Sequence, residues 1–143
     1  RLAGKVALVT GGGQGVGRGI ALALAAEGAR VAVSGRTLSK VEDACREIQS
    51  RGGEALAIEC NVKSEDSLKR CVDAVVAHFG GLQILVNNAQ EVPNGKLHQV
   101  TDDAFTAGWE SGPQATFRLM KLCYPYLKGD GNIINLASAA GRR

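Results

Sequence analysis

The sequence predicts an α/β fold in which a parallel sheet lies between two layers of helices. Three observations support this prediction. Apolar stretches of strand length alternate with amphipathic stretches of helix length, a glycine cluster follows the first apolar stretch, and aromatic residues make up only 4% of the chain. A core built from Val, Ile, Leu and Ala suits buried parallel strands. Strict alternation implies right-handed crossovers, which place helices on both faces of the sheet.

Each predicted element follows from a local pattern. Short buried runs predict the strands, and apolar residues that recur every three or four positions predict the helices. Val16, Ile20 and Leu24 recur in this way before Gly28, and Ser64 with the acidic residues after it predicts a capped helix start. The predicted strands cover about 5–10, 30–34, 54–60, 82–87 and 132–136, and the predicted helices cover about 16–28, 39–50, 64–79 and 102–127.

Length and charge limit the organisation and the partners. The 143 residues fit one domain over 1–143, and we expect its C-terminal part to be missing because the sequence stops just after an apolar run. A net charge of +3 without a run of Lys or Arg predicts no nucleic-acid partner. We expect neither a membrane segment nor a secretory leader. The four cysteines lack metal-binding spacing, which favours reduced thiols, a cytoplasmic location and no bound metal.

The glycine cluster lies between the first predicted strand and the first predicted helix. Glycines at such a turn permit a tight bend and let the backbone approach a pyrophosphate, and the unpaired N–H groups at the helix start attract phosphate. The strand–turn–helix context therefore predicts a Rossmann-type dinucleotide site rather than a purely structural turn. The residues predicted to surround the phosphates are Gly11, Gly12, Gly13, Gln14, Gly15, Val16 and Gly17.

Four motifs in one order resemble the classical short-chain dehydrogenase/reductase family, in particular its 3-oxoacyl reductase-like members. The family's Thr-Gly-x-x-x-Gly-x-Gly is matched by residues 10–17, its Asp-Val by 61–62 and its Asn-Asn-Ala-Gly by 87–90. The strand that carries the family's serine is matched by residues 131–141, which include Ser138. The resemblance implies an oxidoreductase that transfers a hydride between NADP(H) and a small ketone or secondary alcohol.

The resemblance also assigns roles to individual residues. Ser138 matches the catalytic serine, and the family's Tyr-x-x-x-Lys would follow it beyond residue 143. Tyr124 and Lys128 have that spacing but precede Ser138, so we interpret Tyr124 and Tyr126 as helix-end packing. A dimer or tetramer is implied, with the helix over 102–127 at the interface. The residues implied to contact the cofactor after the third and fourth strands are Asn61, Val62, Asn88, Ala89 and Gln90.

The end of the second predicted strand favours NADP(H) over NAD(H). Dinucleotide folds usually place an acid there to bind the ribose 2′-hydroxyl, and this chain has Gly35. Arg36, beside Thr37, could form a charge-assisted contact with a 2′-phosphate, or it could be a solvated loop residue. Gln14 speaks against NADP(H), because many NADP-preferring relatives have a basic residue at that position.

Two positions depart from the family's pattern. Gly112, followed by Pro113, stands where the family has an asparagine that holds a helix kink and a proton-relay water. Because proline lacks an N–H and collides with the preceding turn, we expect an interrupted helix, with the relay either preserved or weakened. Gln90 replaces a glycine and either narrows the nicotinamide site or contacts the substrate. These departures leave open a non-catalytic dinucleotide-binding protein, such as a redox sensor or scaffold, and a truncated species that at most binds nucleotide.

Overall fold

The computed structural model describes residues 1–138, in which five parallel strands form one sheet in the order β3-β2-β1-β4-β5. The strands are β1 Val6–Thr10, β2 Arg30–Gly35, β3 Ala55–Glu59, β4 Ile84–Asn87 and β5 Asn132–Asn135. The α-helices are α1 Gly15–Ala26, α2 Leu38–Ser50, α3 Glu65–Phe79, α4 Asp102–Trp109 and α5 Ala115–Leu127. The predicted Rossmann-type α/β fold is confirmed, with strand ends shifted by about one or two residues, the usual scatter of such boundaries. Residues 139–141 of the predicted serine motif lie outside the described residues.

The two faces of β1 contribute to two separate cores. Val6 and Leu8 pack in a cluster with residues of α3 and α5, whereas Ala7 and Val9 pack in a cluster with residues of α1 and α2. Successive side chains of a strand point to opposite faces, so a strand that is apolar throughout needs cover on both sides. All five residues of β1 are buried, and this strand is therefore the centre of a three-layer structure.

The direction in which the sheet grows reverses beside β1. The chain adds β2 and β3 on one side of β1 and then returns to add β4 and β5 on the other side. The register pairs Val9 with Val86, so the loops after Thr10 and Asn87 leave the sheet next to each other. In open α/β sheets ligands bind beyond the carboxyl ends of the strands at such a reversal. The topology therefore directs attention to these two loops.

Helix α3 shows the predicted capped start. Ser64 precedes the helix, and its Oγ accepts a hydrogen bond from the backbone N–H of Ser67 at 3.2 Å. Glu65 and Asp66 in the first turn place negative charge at the positive end of the helix dipole. Gly80, with a φ of +83°, ends the helix in the left-handed conformation that glycine adopts without strain. Local sequence thus determines both ends of α3.

The helical region after β4 is interrupted at the predicted place. Between α4 and α5 the chain forms a π-helical segment over Glu110–Gln114, with Pro113 inside it. Proline has no N–H to donate to the preceding turn and its ring crowds that turn, so a widened turn relieves the collision. The interruption expected from Gly112 and Pro113 is therefore confirmed, and its form is a π-helix.

No helix within residues 1–138 is both long enough and apolar enough to cross a lipid bilayer. The longest of the helices given above, α3, has 15 residues, whereas a membrane-spanning helix needs about 20. Its first turn also carries two acidic residues.

Candidate functional site

Backbone contacts that only glycine permits close the loop between β1 and α1. Gly11 and Gly15 have φ angles of +61° and +57°, in the left-handed region. A Cβ atom on Gly17 would lie 2.3 Å from the carbonyl oxygen of Gly11 and 2.4 Å from Nδ2 of Asn88. The amino end of α1 is therefore held directly against the loops that follow β1 and β4.

The start of α1 differs from the start of α3 in a way that suits a phosphate ligand. Gln14 occupies the cap position of α1, but its side chain makes no capping hydrogen bond, and the first turn contains no acidic residue. At α3, by contrast, Ser64 caps the helix and two acids follow it. An uncapped helix start offers backbone N–H groups and a positive dipole end to an anion. The first turn of α1 thus has the character of a phosphate-binding turn.

Thr10 and Asn88 tie the two loops together. The Oγ1 of Thr10 accepts the backbone N–H groups of Asn88 and Ala89, both at 3.0 Å, and donates to the carbonyl oxygen of Val86 at 3.3 Å. The Nδ2 of Asn88 in turn donates to the carbonyl oxygen of Gly11 at 3.0 Å. Thr10 is buried, so these bonds form where water cannot replace them. The loop geometry is consequently fixed before any ligand binds.

A cavity of about 470 Å³ opens beyond the carboxyl ends of β1, β2, β3 and β4, and it brings most of the predicted site residues together. The predicted residues that line it are Gly11, Gly13, Gln14, Gly15, Val16, Arg36, Thr37, Asn61, Val62, Asn88, Ala89 and Gln90. Gly12 and Gly17 contribute close packing instead: a Cβ atom on Gly12 would lie 2.6 Å from Cγ1 of Val33. The shared cavity is a structural finding, whereas the contacts of these residues with a cofactor remain predictions.

Positive charge predominates around this cavity. Its lining includes Arg36, Lys40 and Lys63 as cations and Glu91 as an acid. The Nζ of Lys40 donates to Oε1 of Gln14 at 2.8 Å. Position 14 itself has no basic side chain, which counted against NADP(H), but Lys40 places a cation next to it. A concave site with more cations than acids attracts polyanionic ligands.

The carboxylate of Glu91 joins Arg36 and Lys63 across the mouth of the cavity. Its Oε1 accepts a hydrogen bond from Nη1 of Arg36, and both of its oxygens lie 3.2 Å from Nζ of Lys63. The loops after β2, β3 and β4 are thereby linked by charge.

The loop after β3 is ordered by its own side chains. The backbone N–H of Asn61 donates to Oγ of Ser67 at 3.0 Å, and Oδ1 of Asn61 accepts the backbone N–H of Lys63 at 3.1 Å. The neighbouring side chains of Cys71 and Ser67 lower the pKa of the Cys60 thiol below its ordinary value, although burial of the thiol acts in the opposite direction. Cys60 lines the cavity, so its thiol belongs to the candidate site.

The two departures from the family pattern meet beside a second cavity. This cavity of about 200 Å³ lies at the carboxyl ends of β4 and β5, next to the π-helical segment, and Gln90 lines both cavities. A Cβ atom on Gly112 would lie 2.9 Å from Nε2 of Gln90. The Gln90 side chain thus occupies the space that a side chain at position 112 would need. The Gln90 side chain can therefore take its observed position because residue 112 has no side chain.

Comparison with known proteins identifies the family. Residues 5–143 match the family described as short chain dehydrogenase. The chain belongs to this family. It is 44% identical over 147 residues to a 12alpha-hydroxysteroid dehydrogenase of a Clostridium species, a match that covers 96% of this chain and 57% of the relative. It is 38% identical over 146 residues to versicolorin reductase of Emericella nidulans, covering 99% of this chain and 55% of the relative.

Two solved dehydrogenase structures have a fold similar to that of this chain. A short chain dehydrogenase from Burkholderia cenocepacia in complex with NADP has 35% sequence identity and a TM-score of 0.95, covering 100% of this chain and 59% of that protein. A 7 alpha-hydroxysteroid dehydrogenase complexed with NADH and 7-oxo glycochenodeoxycholic acid has 33% identity and a TM-score of 0.94, covering 100% and 56%. The chain thus spans little more than half the length of these relatives.

Ser138 and the tyrosines of α5 are not among the residues that line the large cavity. Ser138 follows β5 by three residues, is exposed, and is not among the residues that line the two cavities. Its role remains a prediction from the family motif. Tyr124 is 64% and Tyr126 is 39% exposed, so the expected packing of both tyrosines is wrong. The buried stripe of α5 recurs every four residues at 115, 119, 123 and 127, and Tyr124 lies outside it.

Sequence reasoning missed three charged residues of the site. Lys63 and Glu91 directly follow segments that the motifs singled out, and Lys40 lies one helical turn beyond Arg36 and Thr37. These residues could have been suspected from the sequence, because they lie next to the predicted cofactor-binding segments. Nothing in the local pattern indicates that Lys63 contacts Glu91, because the two residues come from different loops.

Proposed function

We propose that the chain forms the dinucleotide-binding part of an NADP(H)-dependent short-chain oxidoreductase that acts on a small ketone or secondary alcohol. The observation that carries the proposal is the uncapped, glycine-rich start of α1 at the edge of the cavity of about 470 Å³. Three cations and one acid around that cavity suit a ligand with several phosphate groups. The relatives are named for dehydrogenase and reductase activities, which favours an enzyme over a non-catalytic binding protein.

Features at the end of β2 support NADP(H) over NAD(H). Gly35 offers no carboxylate for a ribose 2′-hydroxyl, and a Cβ atom there would lie 2.9 Å from Cγ2 of Val41. Arg36 follows at the cavity wall, and Lys40 brings a cation to Gln14. The similar Burkholderia cenocepacia dehydrogenase in complex with NADP is consistent with this preference.

The residues of this chain would bind and orient the reacting groups. When bound, a nicotinamide cofactor supplies or accepts the hydride. The first turn of α1 would hold the phosphates, while Thr10 and Asn88 keep the loops after β1 and β4 in register. Ser138, beyond the carboxyl end of β5, would orient the substrate oxygen by a hydrogen bond. Gln90 borders both cavities and would adjoin the nicotinamide or the substrate.

We also propose that α4 and α5 form an interface between copies of the protein. Phe105, Trp109 and Phe117 on these helices are 63%, 54% and 58% exposed. Aromatic side chains are enriched in protein interfaces, and exposed apolar patches of this kind mark interaction sites. Light scattering after size-exclusion chromatography should give the mass of a dimer or tetramer, and a monomeric mass would contradict this assignment.

A cytoplasmic location is proposed from the thiols. The cysteines of residues 1–138 are free and buried. Free thiols persist in reducing compartments, whereas oxidising compartments favour disulfides. Localisation of a tagged protein by fluorescence microscopy tests the proposal, and a secreted product would contradict it.

Replacing Arg36 by alanine tests the cofactor assignment. Loss of a charge-assisted contact to the 2′-phosphate should weaken NADPH binding by about tenfold while NADH binding stays within about twofold. Calorimetric titration of the purified chain with each cofactor measures both constants, and an unchanged circular dichroism spectrum checks the fold. Equal losses for NADPH and NADH would refute the preference. Binding of neither cofactor by the unmodified chain would refute the dinucleotide-binding function.

A further inference from the structure

Glu91 connects three loops around the large cavity. It lies in the loop after β4, Arg36 directly follows β2, and Lys63 lies in the loop after β3. The Oε1 of Glu91 accepts a hydrogen bond from Nη1 of Arg36. Both carboxylate oxygens of Glu91 also accept hydrogen bonds from Nζ of Lys63, each at 3.2 Å. Among the described residues that line this cavity, Glu91 is the only acid. A single carboxylate thus forms ion pairs with two of the three cations that line the cavity.

The backbone holds this carboxylate in place. The N–H of Glu91 donates to Oγ of Ser111 at 2.7 Å, and that hydroxyl donates to the carbonyl oxygen of Ala107 at 2.7 Å. Ser111 is buried within the π-helical segment. The side chains of Glu91 and Lys63 are only 29% and 27% exposed, so water screens this pair less than a surface ion pair. The position of Glu91 is therefore set by the fold as well as by its two cations.

A phosphate group at this end of the cavity would need the same cations. Phosphate and carboxylate oxygens both accept charge-assisted hydrogen bonds from guanidinium and ammonium groups. A 2′-phosphate bound to Arg36 would compete with the Glu91 carboxylate for donors and would meet its negative charge. On the basis of the proposed function, we propose that Glu91 is a specificity-determining residue that lowers the affinity for NADP(H) by occupying Arg36 and Lys63.

Competition with Glu91 should weaken the binding of NADP(H) but not that of NAD(H). NADP(H) must break the contacts of Glu91 with Arg36 and Lys63 to place its 2′-phosphate, whereas the unphosphorylated ribose of NAD(H) leaves them intact. Glu91 therefore narrows the difference in affinity between the two cofactors. Removing its charge should widen that difference in favour of the phosphorylated form.

Two nucleotide fragments isolate this effect from catalysis. Adenosine 2′,5′-bisphosphate carries the 2′-phosphate, and adenosine 5′-monophosphate lacks it. In calorimetric titrations of the purified chain, Glu91→Gln should bind the bisphosphate about tenfold more tightly, the size of one charge-assisted interaction, and the monophosphate within about twofold of the unmodified chain. Glu91→Ala should give the same pattern, because the loss of charge and not the new amide causes the gain.

Glu27→Gln is the matched control. It removes the same charge at the exposed carboxyl end of α1, about 18 Å along the helix from its phosphate-binding turn, and should change neither affinity. Equal gains for the two fragments, no gain, or weaker binding of the bisphosphate by Glu91→Gln would overturn the role of Glu91. If the unmodified chain binds neither fragment, the proposed dinucleotide function fails and this role fails with it. Circular dichroism spectra that match the unmodified chain confirm that the variants fold.

Discussion

Strands β1 and β5 belong to one parallel sheet, yet they are packed in opposite ways. All five residues of β1 are buried, whereas all four residues of β5 are exposed. Leu8 in β1 is 0% exposed, and Ile133 and Ile134 in β5 are 42% and 44% exposed. Within residues 1–138, β1 lies between two strands and beneath helices on both faces, while β5 pairs with β4 alone. Within the described residues, the strand with neighbours on both sides is buried and the strand with one neighbour is exposed.

The same contrast separates the surroundings of two glycines. A side chain on Gly17, beside β1, would meet the backbone oxygen of Gly11 at 2.3 Å, and that atom cannot move without moving the loop. A side chain on Gly112, beside β5, would meet the end of the Gln90 side chain at 2.9 Å, which can rotate away. The start of α1 is therefore constrained by backbone contacts, whereas the space over Gly112 can adjust through a side chain.

The largest expected effect comes from truncating matched residues of the two strands. Leu8→Ala removes a fully buried side chain and should lower the free energy of unfolding by about 2–5 kcal/mol. Ile133→Ala, at a half-exposed position, should cost about 1 kcal/mol or less, because water already covers much of the side chain. Urea denaturation followed by circular dichroism measures both values. Equal costs would show that β5 is as well covered in solution as β1.

A substitution in the glycine-rich turn at the start of α1 should have the next largest effect. Gly17→Ala forces the start of α1 away from Gly11 and Asn88, which should cost about 1–3 kcal/mol of stability. The displaced turn should also weaken NADPH binding by about a hundredfold, the size of two lost charge-assisted hydrogen bonds from backbone N–H groups to phosphate. Urea denaturation and NADPH titration measure the two effects.

Gly19→Ala provides the control for Gly17→Ala within the same helix. A Cβ atom at Gly19 would have no atom within 4 Å, so alanine should stabilise the chain by about 1 kcal/mol through its higher helix propensity. NADPH binding should not change. If Gly17→Ala binds NADPH as tightly as the unmodified chain, the start of α1 is not held rigidly by its contacts with Gly11 and Asn88.

The smallest effect is expected at Gly112. Gly112→Ala should change the stability by less than about 1 kcal/mol, because the gain in helix propensity offsets the displacement of the Gln90 side chain. In a Gln90→Ala background the same substitution should become stabilising, giving a coupling of about 0.5–1 kcal/mol in a double-mutant cycle. Additive changes would show that Gln90 does not occupy the space over Gly112 in solution.

Much of the fold could be predicted from local patterns. The Ser64 cap, the alternation of strands and helices, and the interruption at Pro113 each depend on residues within one or two turns of each other. The packing of Tyr124 could not be predicted, because a helix that is apolar on several sides does not reveal which stripe faces the sheet. The π-helical form of the interruption could not be predicted either, because Pro113 indicates only that a regular helix is interrupted.

The contacts among the charged residues around the cavity could not be predicted from the sequence. Glu91 lies 55 residues from Arg36 and 28 residues from Lys63, and each of the three follows a different strand. Each loop by itself shows only an ordinary surface charge. Their meeting depends on the strand order β3-β2-β1-β4-β5 and on the register that aligns the carboxyl ends of those strands.

The sequence by itself determined the order of the elements, the need for glycine in the turn after β1, and the absence of an acid at the end of β2. These properties depend on backbone conformation and periodicity, which act over a few residues. The tertiary structure alone decided that Glu91 holds Arg36 and Lys63, and that Gln90 fills the space over Gly112. The physical reason is that parallel pairing brings together loops that are distant along the chain, and side chains interact only once that pairing has formed.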